Sequence, residues 1–104
     1  MPGKPLKKII ESYCTARGIA VPAGFGRHPA SRYVVIRRDG NTPKLVAKTW
    51  FALEDVVYYL EHLLLPELGG QTDAFDVLDF TDLRRLHYRG SSRLEVVGSF
   101  TLEP

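Results

Sequence analysis

Five basic side chains and a tryptophan gather around one turn of this 104-residue sequence. Arg37 and Arg38 precede the turn at residues 39–43, Lys44 and Lys48 follow it, Arg32 lies just upstream and Trp50 just downstream. Guanidinium and ammonium groups arrayed on a β-ribbon can follow a phosphate backbone and gain affinity from released counterions. Tyr33 and Trp50 would offer faces on which bases stack. The competing expectation is a solvated strand whose charges discourage edge-to-edge aggregation. Acids form a second constellation, because Asp73, Asp76, Asp79 and Asp82 recur every three residues. A calcium loop needs acids at alternate positions around a glycine, so this spacing points to no metal. It suits turn caps and pairing with Arg84, Arg85 and the basic N-terminal half, or a face that docks a basic partner.

These clusters belong to an uneven charge layout. Residues 1–48 carry ten Lys and Arg against Glu11 and Asp39, residues 49–83 carry eight acids and no Lys or Arg, and the net charge is only +2. Such blocks can mark a partner-binding face, or can fold against each other.

Catalytic signals are sparse. Cys14 is the sole cysteine, which excludes an internal disulfide and a multi-cysteine zinc site. A nucleophilic thiolate would need a base or cation nearby, for which His28 is the nearest candidate in sequence; a packing role is the plainer expectation. His62 and His87 have no carboxylate at a diagnostic spacing. Gly24-Phe25-Gly26 follows neither a strand nor opens a helix, so it is no dinucleotide loop, although Arg27-His28 beside it could meet an anion. No cofactor is expected.

The elements that would position these residues follow from periodicity. Leu6, Ile9, Ile10 and Tyr13 share one helical face, Pro5 suits a first turn, and Gly18 followed by Ile19 suits a left-handed C-cap, predicting a helix over residues 5–17. Residues 20–31 hold two Pro and two Gly and read as a loop. Residues 32–38 and 44–51 read as a hairpin whose first strand has apolar groups on both faces and is not a bare edge. A helix over 52–65 carries Glu54 and Asp55 in its first turn and meets Pro66, which should stop it. After a linker at 67–73, residues 75–80 read as a short strand or extended lead-in. Asp79 or Thr81 would cap a short helix at 82–88 closed by Gly90, and residues 93–102 form a last strand in which Gly98 marks a bulge or close neighbour.

The order α-β-β-α-(β)-α-β predicts one α+β domain over 1–104, with 1–4 a flexible end. It should have a mainly antiparallel sheet of three to four strands and helices packed on one face. Its core should join Leu6, Ile9, Ile10, Val35, Leu45, Leu53, Val57, Leu60, Leu64, Val96 and Phe100. Tyr58, Tyr59, Trp50 and Phe51 should divide between the core rim and interface anchors.

The opening KPLKKIIESYCTARGIAVP, with a hairpin and a helix after it, resembles the first part of a double-stranded-RNA-binding domain, which would imply duplex RNA as partner. That family has three strands before its second helix and a lysine cluster at that helix's start. Here there are two strands, and the helix opens with Ala52-Leu53-Glu54-Asp55. The family is therefore not assigned.

With no long apolar run and no signal-like start, a cytoplasmic chain with no membrane contact is expected. The expected function is a non-catalytic interaction module. It would present a basic hairpin face (Arg32, Arg37, Arg38, Lys44, Lys48, Trp50) and an acidic face (Asp73, Asp76, Asp79, Asp82) to an unidentified protein or a second copy of itself. The alternatives are nucleic-acid binding through the basic hairpin and a small enzyme with a site near Cys14 and His28.

Overall fold

A computed structural model describes residues 5–27 and 29–103. The first helix, α1 (Leu6–Ala16), closes as its sequence requires. Gly18 takes φ +70°, letting the Ile19 N–H reach back to the Cys14 carbonyl at 2.8 Å while the Gly18 N–H meets Thr15. A single 3₁₀ turn, Ala23–Arg27, interrupts the loop that follows. The strands are β1 (Tyr33–Arg37), β2 (Lys44–Leu45), β3 (Phe75–Asp79), β4 (Arg84–Gly90) and β5 (Arg93–Ser99). They form one antiparallel sheet in the order β2-β1-β3-β4-β5.

Five strands replace the three to four expected. The helix expected at 82–88 is strand β4. The cap-like Asp79 instead organises a turn, its Oδ1 accepting the N–H groups of Thr81 and Asp82. Leu86 and Tyr88 then alternate into the core while Arg85 and Arg89 face solvent, a period of two. The return strand of the first hairpin is correspondingly cut short. Ile36 pairs with Leu45 but Tyr33 pairs with Trp50, so two extra residues bulge out and leave only Lys44–Leu45 as strand.

Helices lie against both faces of the sheet, where one face was expected. The alternation of β1 decides this. Tyr33 and Val35 join Trp50, Val56, Leu60, Leu64, Phe75, Val77, Leu86 and Tyr88 in one core, whereas Val34 and Ile36 join Ile10, Tyr13, Cys14, Phe25, Leu45 and Leu78 in another. Leu6, Ile9 and Phe100 flank the second core, but Leu53 and Val96 are 38% and 46% exposed and belong to neither.

The long helix of the first core does not stop at Pro66. It runs as α2 (Leu53–Tyr59), a π-helical turn (Leu60–Leu64) and α3 (Leu65–Glu67). Its core residues Val56, Leu60, Leu64 and Leu68 recur every four positions. In an α-helix each step of four would drift by about 40° around the axis. The wider π turn absorbs that drift, and its Leu65 N–H to Leu60 carbonyl bond moves the ladder into a register that tolerates the missing N–H of Pro66.

Candidate binding groove

The expected charged faces lie largely against each other. β1 pairs with β3, so the basic block meets the acidic block. Arg32 donates to both oxygens of Asp79 at 2.8 and 2.7 Å and to Asp82 at 2.9 Å, and Arg84 reaches the same two acids. Arg37 holds Asp39 and Glu67, and Arg38 holds Asp76. The Asp79 side chain is wholly buried. Burial pushes its pKa up, but the Arg32 bond and the backbone N–H groups of Asp82 and Thr81 outweigh this and bring it to about 2. Lys44 and Lys48 remain exposed, whereas Trp50 is 4% exposed in the core and offers no stacking face. The four aspartates do not share a face: Asp73 sits in an exposed loop, Asp76 and Asp79 project to opposite sides of β3, and Asp82 follows the strand. Among the described residues no group of acids, histidines or cysteine could hold a metal ion.

Cys14 is fully buried, and burial, opposed only by Arg17, pushes its thiol up to about 11. Such a thiol stays protonated at neutral pH and packs as a small apolar group. His28 and the side chain of Arg27 lie outside the described residues, as do residues 1–4.

A groove of about 790 Å³ lies elsewhere, between α2 and the β4–β5 hairpin. One wall is Leu53, Glu54, Val57, Tyr58, Glu61 and His62, and the other is Ser92, Arg93 and Leu94. Glu61 joins the walls. Its carboxylate accepts the Tyr88 hydroxyl, the Ser92 N–H at 3.0 Å and the Ser92 hydroxyl at 3.2 Å. These bonds, the Tyr88 one foremost, hold the Glu61 carboxyl below the ordinary range and raise the Tyr88 hydroxyl above it. Ser91 and Ser92 both take positive φ, +51° and +59°, as the tight hairpin between Gly90 and Arg93 demands. Non-glycine residues rarely hold this conformation unless neighbours enforce it, and here Glu61 does so for Ser92.

Tyr58 is 63% exposed, stacks on His62 with ring centroids 4.3 Å apart, and continues the groove into a cleft shared with Phe51 and Leu63. Phe51 is 81% and Leu63 57% exposed, so of the four aromatic anchor candidates Phe51 and Tyr58 face out while Trp50 and Tyr59 stack inward on each other. Of the groove's polar residues the sequence marked Tyr58 as an anchor candidate but did not single out Glu61, Ser92 or Arg93, because the walls come from segments about thirty residues apart. The available signal was that Tyr58 and Leu63 fall off the apolar stripe of α2.

Beside the groove lies an uncovered strand. The opposite sheet edge is closed by Ala20, whose N–H and carbonyl bond to Pro43 and Leu45 across β2 at 2.8 Å each. β5 ends the sheet with nothing paired outside it among the described residues, and Val96 and Val97 are about half exposed. Its pairing with β4 skips Val97 next to Gly98, the bulge expected there.

The fold and groove together define a small α+β domain with one open sheet edge. The chain matches no known family, no curated protein and no solved structure. Among the described residues no helix is long and apolar enough to cross a membrane.

Proposed function

We propose that this chain is a non-catalytic interaction module that holds a protein partner in the groove between α2 and β5. The observation that carries this reading is an uncovered strand edge running beside an apolar groove, in a molecule that closes its other edge. Exposed aromatic and aliphatic groups next to a preformed concavity are the usual anchors of a protein interface. The π turn under Glu61 and the two strained serines favour the same place, since such features are retained where function requires them.

The basic hairpin and the acidic segment enter this reading as steering charges. Arg32, Arg37 and Arg38 would have to leave existing ion pairs to grip a partner directly, whereas Lys44 and Lys48 are exposed, make no ion pair among the described residues and can attract one from a distance. For the same reason the hairpin is a weak phosphate-binding ribbon.

The test is affinity capture with the full chain, reconstitution of the captured complex from purified components, and hydrogen-exchange mapping of the contact. Protection at residues 53–62 and 92–97, lost in Tyr58→Glu, is the expected result. A nuclease-sensitive complex protected around Arg37, Arg38 and Lys44 would overturn the reading in favour of nucleic-acid binding.

A further inference from the structure

Resting on that reading, we infer that the occupant of the groove is an extended partner segment that carries Lys or Arg among apolar residues and adds to β5 as a sixth strand. Two independent observations select it.

The first is the edge. β5 offers outward N–H and carbonyl groups, and only its first part, residues 93–96, precedes the bulge that would turn a partner away. Leu94 and Val96 lie on the sheet face that carries α2, opposite Tyr88 and Leu86 of the core. A strand added outside β5 therefore sends every second side chain toward Leu94, Leu53 and Tyr58. Backbone pairing would supply affinity and the groove would supply selectivity, as in other strand-addition complexes.

The second is charge. Of the eight acids between residues 49 and 83, Glu67, Asp76, Asp79 and Asp82 pair with arginines. Among the described residues the other four, Glu54, Asp55, Glu61 and Asp73, have no ion-pair partner; Asp73 lies in an exposed loop, and the remaining three border Tyr58 or the groove. Glu61 is already bonded to Tyr88 and Ser92 and has Arg93 and His62 beside it. Lys48 lines the second cleft together with Asp55 but forms no ion pair with it, its ammonium lying 6.0 Å from the Trp50 ring centroid. Acids without an ion pair therefore concentrate at Glu54 and Asp55, at the start of α2, where a Lys or Arg of the partner would lie. The acidic partner-facing surface that the sequence suggested at Asp73, Asp76, Asp79 and Asp82 moves to this helix.

The experiment titrates the ¹⁵N-labelled full chain with three synthetic seven-residue peptides and reads both the affinity and the residues that shift. The first alternates lysine with valine and leucine, the second replaces each lysine with glutamate, and the third is the lysine peptide N-methylated at alternate residues, made in both phases. The expected result is shifts at residues 53–62 and 93–97, with the lysine peptide about tenfold or more tighter than the glutamate peptide. One N-methylation phase should abolish binding and the other should not. Glu54→Lys with Asp55→Lys, both exposed and free of structural bonds, should remove the lysine preference. Equal binding of the glutamate peptide, or indifference to both N-methylation phases, overturns the basic strand as occupant while leaving the groove a docking site. If the peptides bind but shift residues only outside the groove, the inference and the groove reading fall together.

Discussion

Asp79 shows how a single residue can turn a charge pattern into a fold. In sequence it is one acid of an evenly spaced row; in the structure it is a buried carboxylate at the end of the central strand β3, held by Arg32 and two turn N–H groups. Its folded pKa of about 2 lies below its ordinary value of 3.8, so the ionised form is favoured by folding. The stability this gives is complete above the ordinary value and is lost as pH falls from about 4 toward 2. The shift corresponds to about 2–3 kcal/mol. Asp79→Asn should therefore cost about 3 kcal/mol at pH 7 by urea denaturation, since it leaves Arg32 and Arg84 facing an uncharged amide. The gap between wild type and variant should close as pH approaches 2. A gap that stays constant with pH would mean that the side chain acts through shape alone. Cys14 was readable from sequence as a packing residue, because a lone thiol on an apolar helix face lacks an activating partner. Tyr58 was readable only in part: its place off the apolar stripe marked it as a rim or interface residue, but not which groove it would line.

The elements show where local signals suffice and where they mislead. Helix α1 follows directly from Pro5, the spacing of its apolar residues, and Gly18 with Ile19, each of which acts within one or two turns. Strand β4 was hidden because Asp79 and Thr81 before it and Gly90 at its end are residues that end helices and also build turns. Only the alternation of Leu86 and Tyr88 with Arg85 and Arg89 separates the two, over too few residues to outweigh the caps. The helix beyond Pro66 was equally hidden, since a π turn depends on what the sheet asks of Val56, Leu60, Leu64 and Leu68 together. The β4–β5 turn supports a prediction at this scale. Ser91 and Ser92 occupy the two left-handed positions that Asn-Gly fills best. Ser91→Asn with Ser92→Gly should stabilise the domain by about 1 kcal/mol despite losing the Ser92 hydroxyl, because the Ser92 N–H to Glu61 survives. Calorimetry should show a rise of about 4–8 °C in Tm. A fall would mean that the serine hydroxyl, rather than the backbone, holds the turn against Glu61.

In the whole molecule, the charge asymmetry visible in the sequence is resolved by topology. β1 and β3 are separated by the entire long helix, yet they pair from Tyr33 with Asp79 to Arg37 with Phe75, which sets the basic block against the acidic one. No local pattern encodes that pairing, so the blocks were legible while their purpose was not. The same topology ranks the strands by exposure. β1 and β3 lie inside the sheet with apolar cores on both faces, and Val34, Val35 and Val77 are 0% or nearly 0% exposed. β2 is two residues long and clipped by Ala20, and β5 is exposed almost throughout. Amides that open only on global unfolding should therefore cluster on β1 and β3, with protection approaching the full unfolding free energy. Those on the outer edge of β5 should exchange many orders of magnitude faster. Native-state hydrogen exchange checks this, and the outer amides of residues 93–96 are the informative ones. If they are as protected as Val35 and Val77 in the isolated chain at low concentration, the edge is already covered and β5 is not a free docking strand. If they exchange freely, and slow only when a partner segment is added, the open edge is what the rest of the fold holds in place.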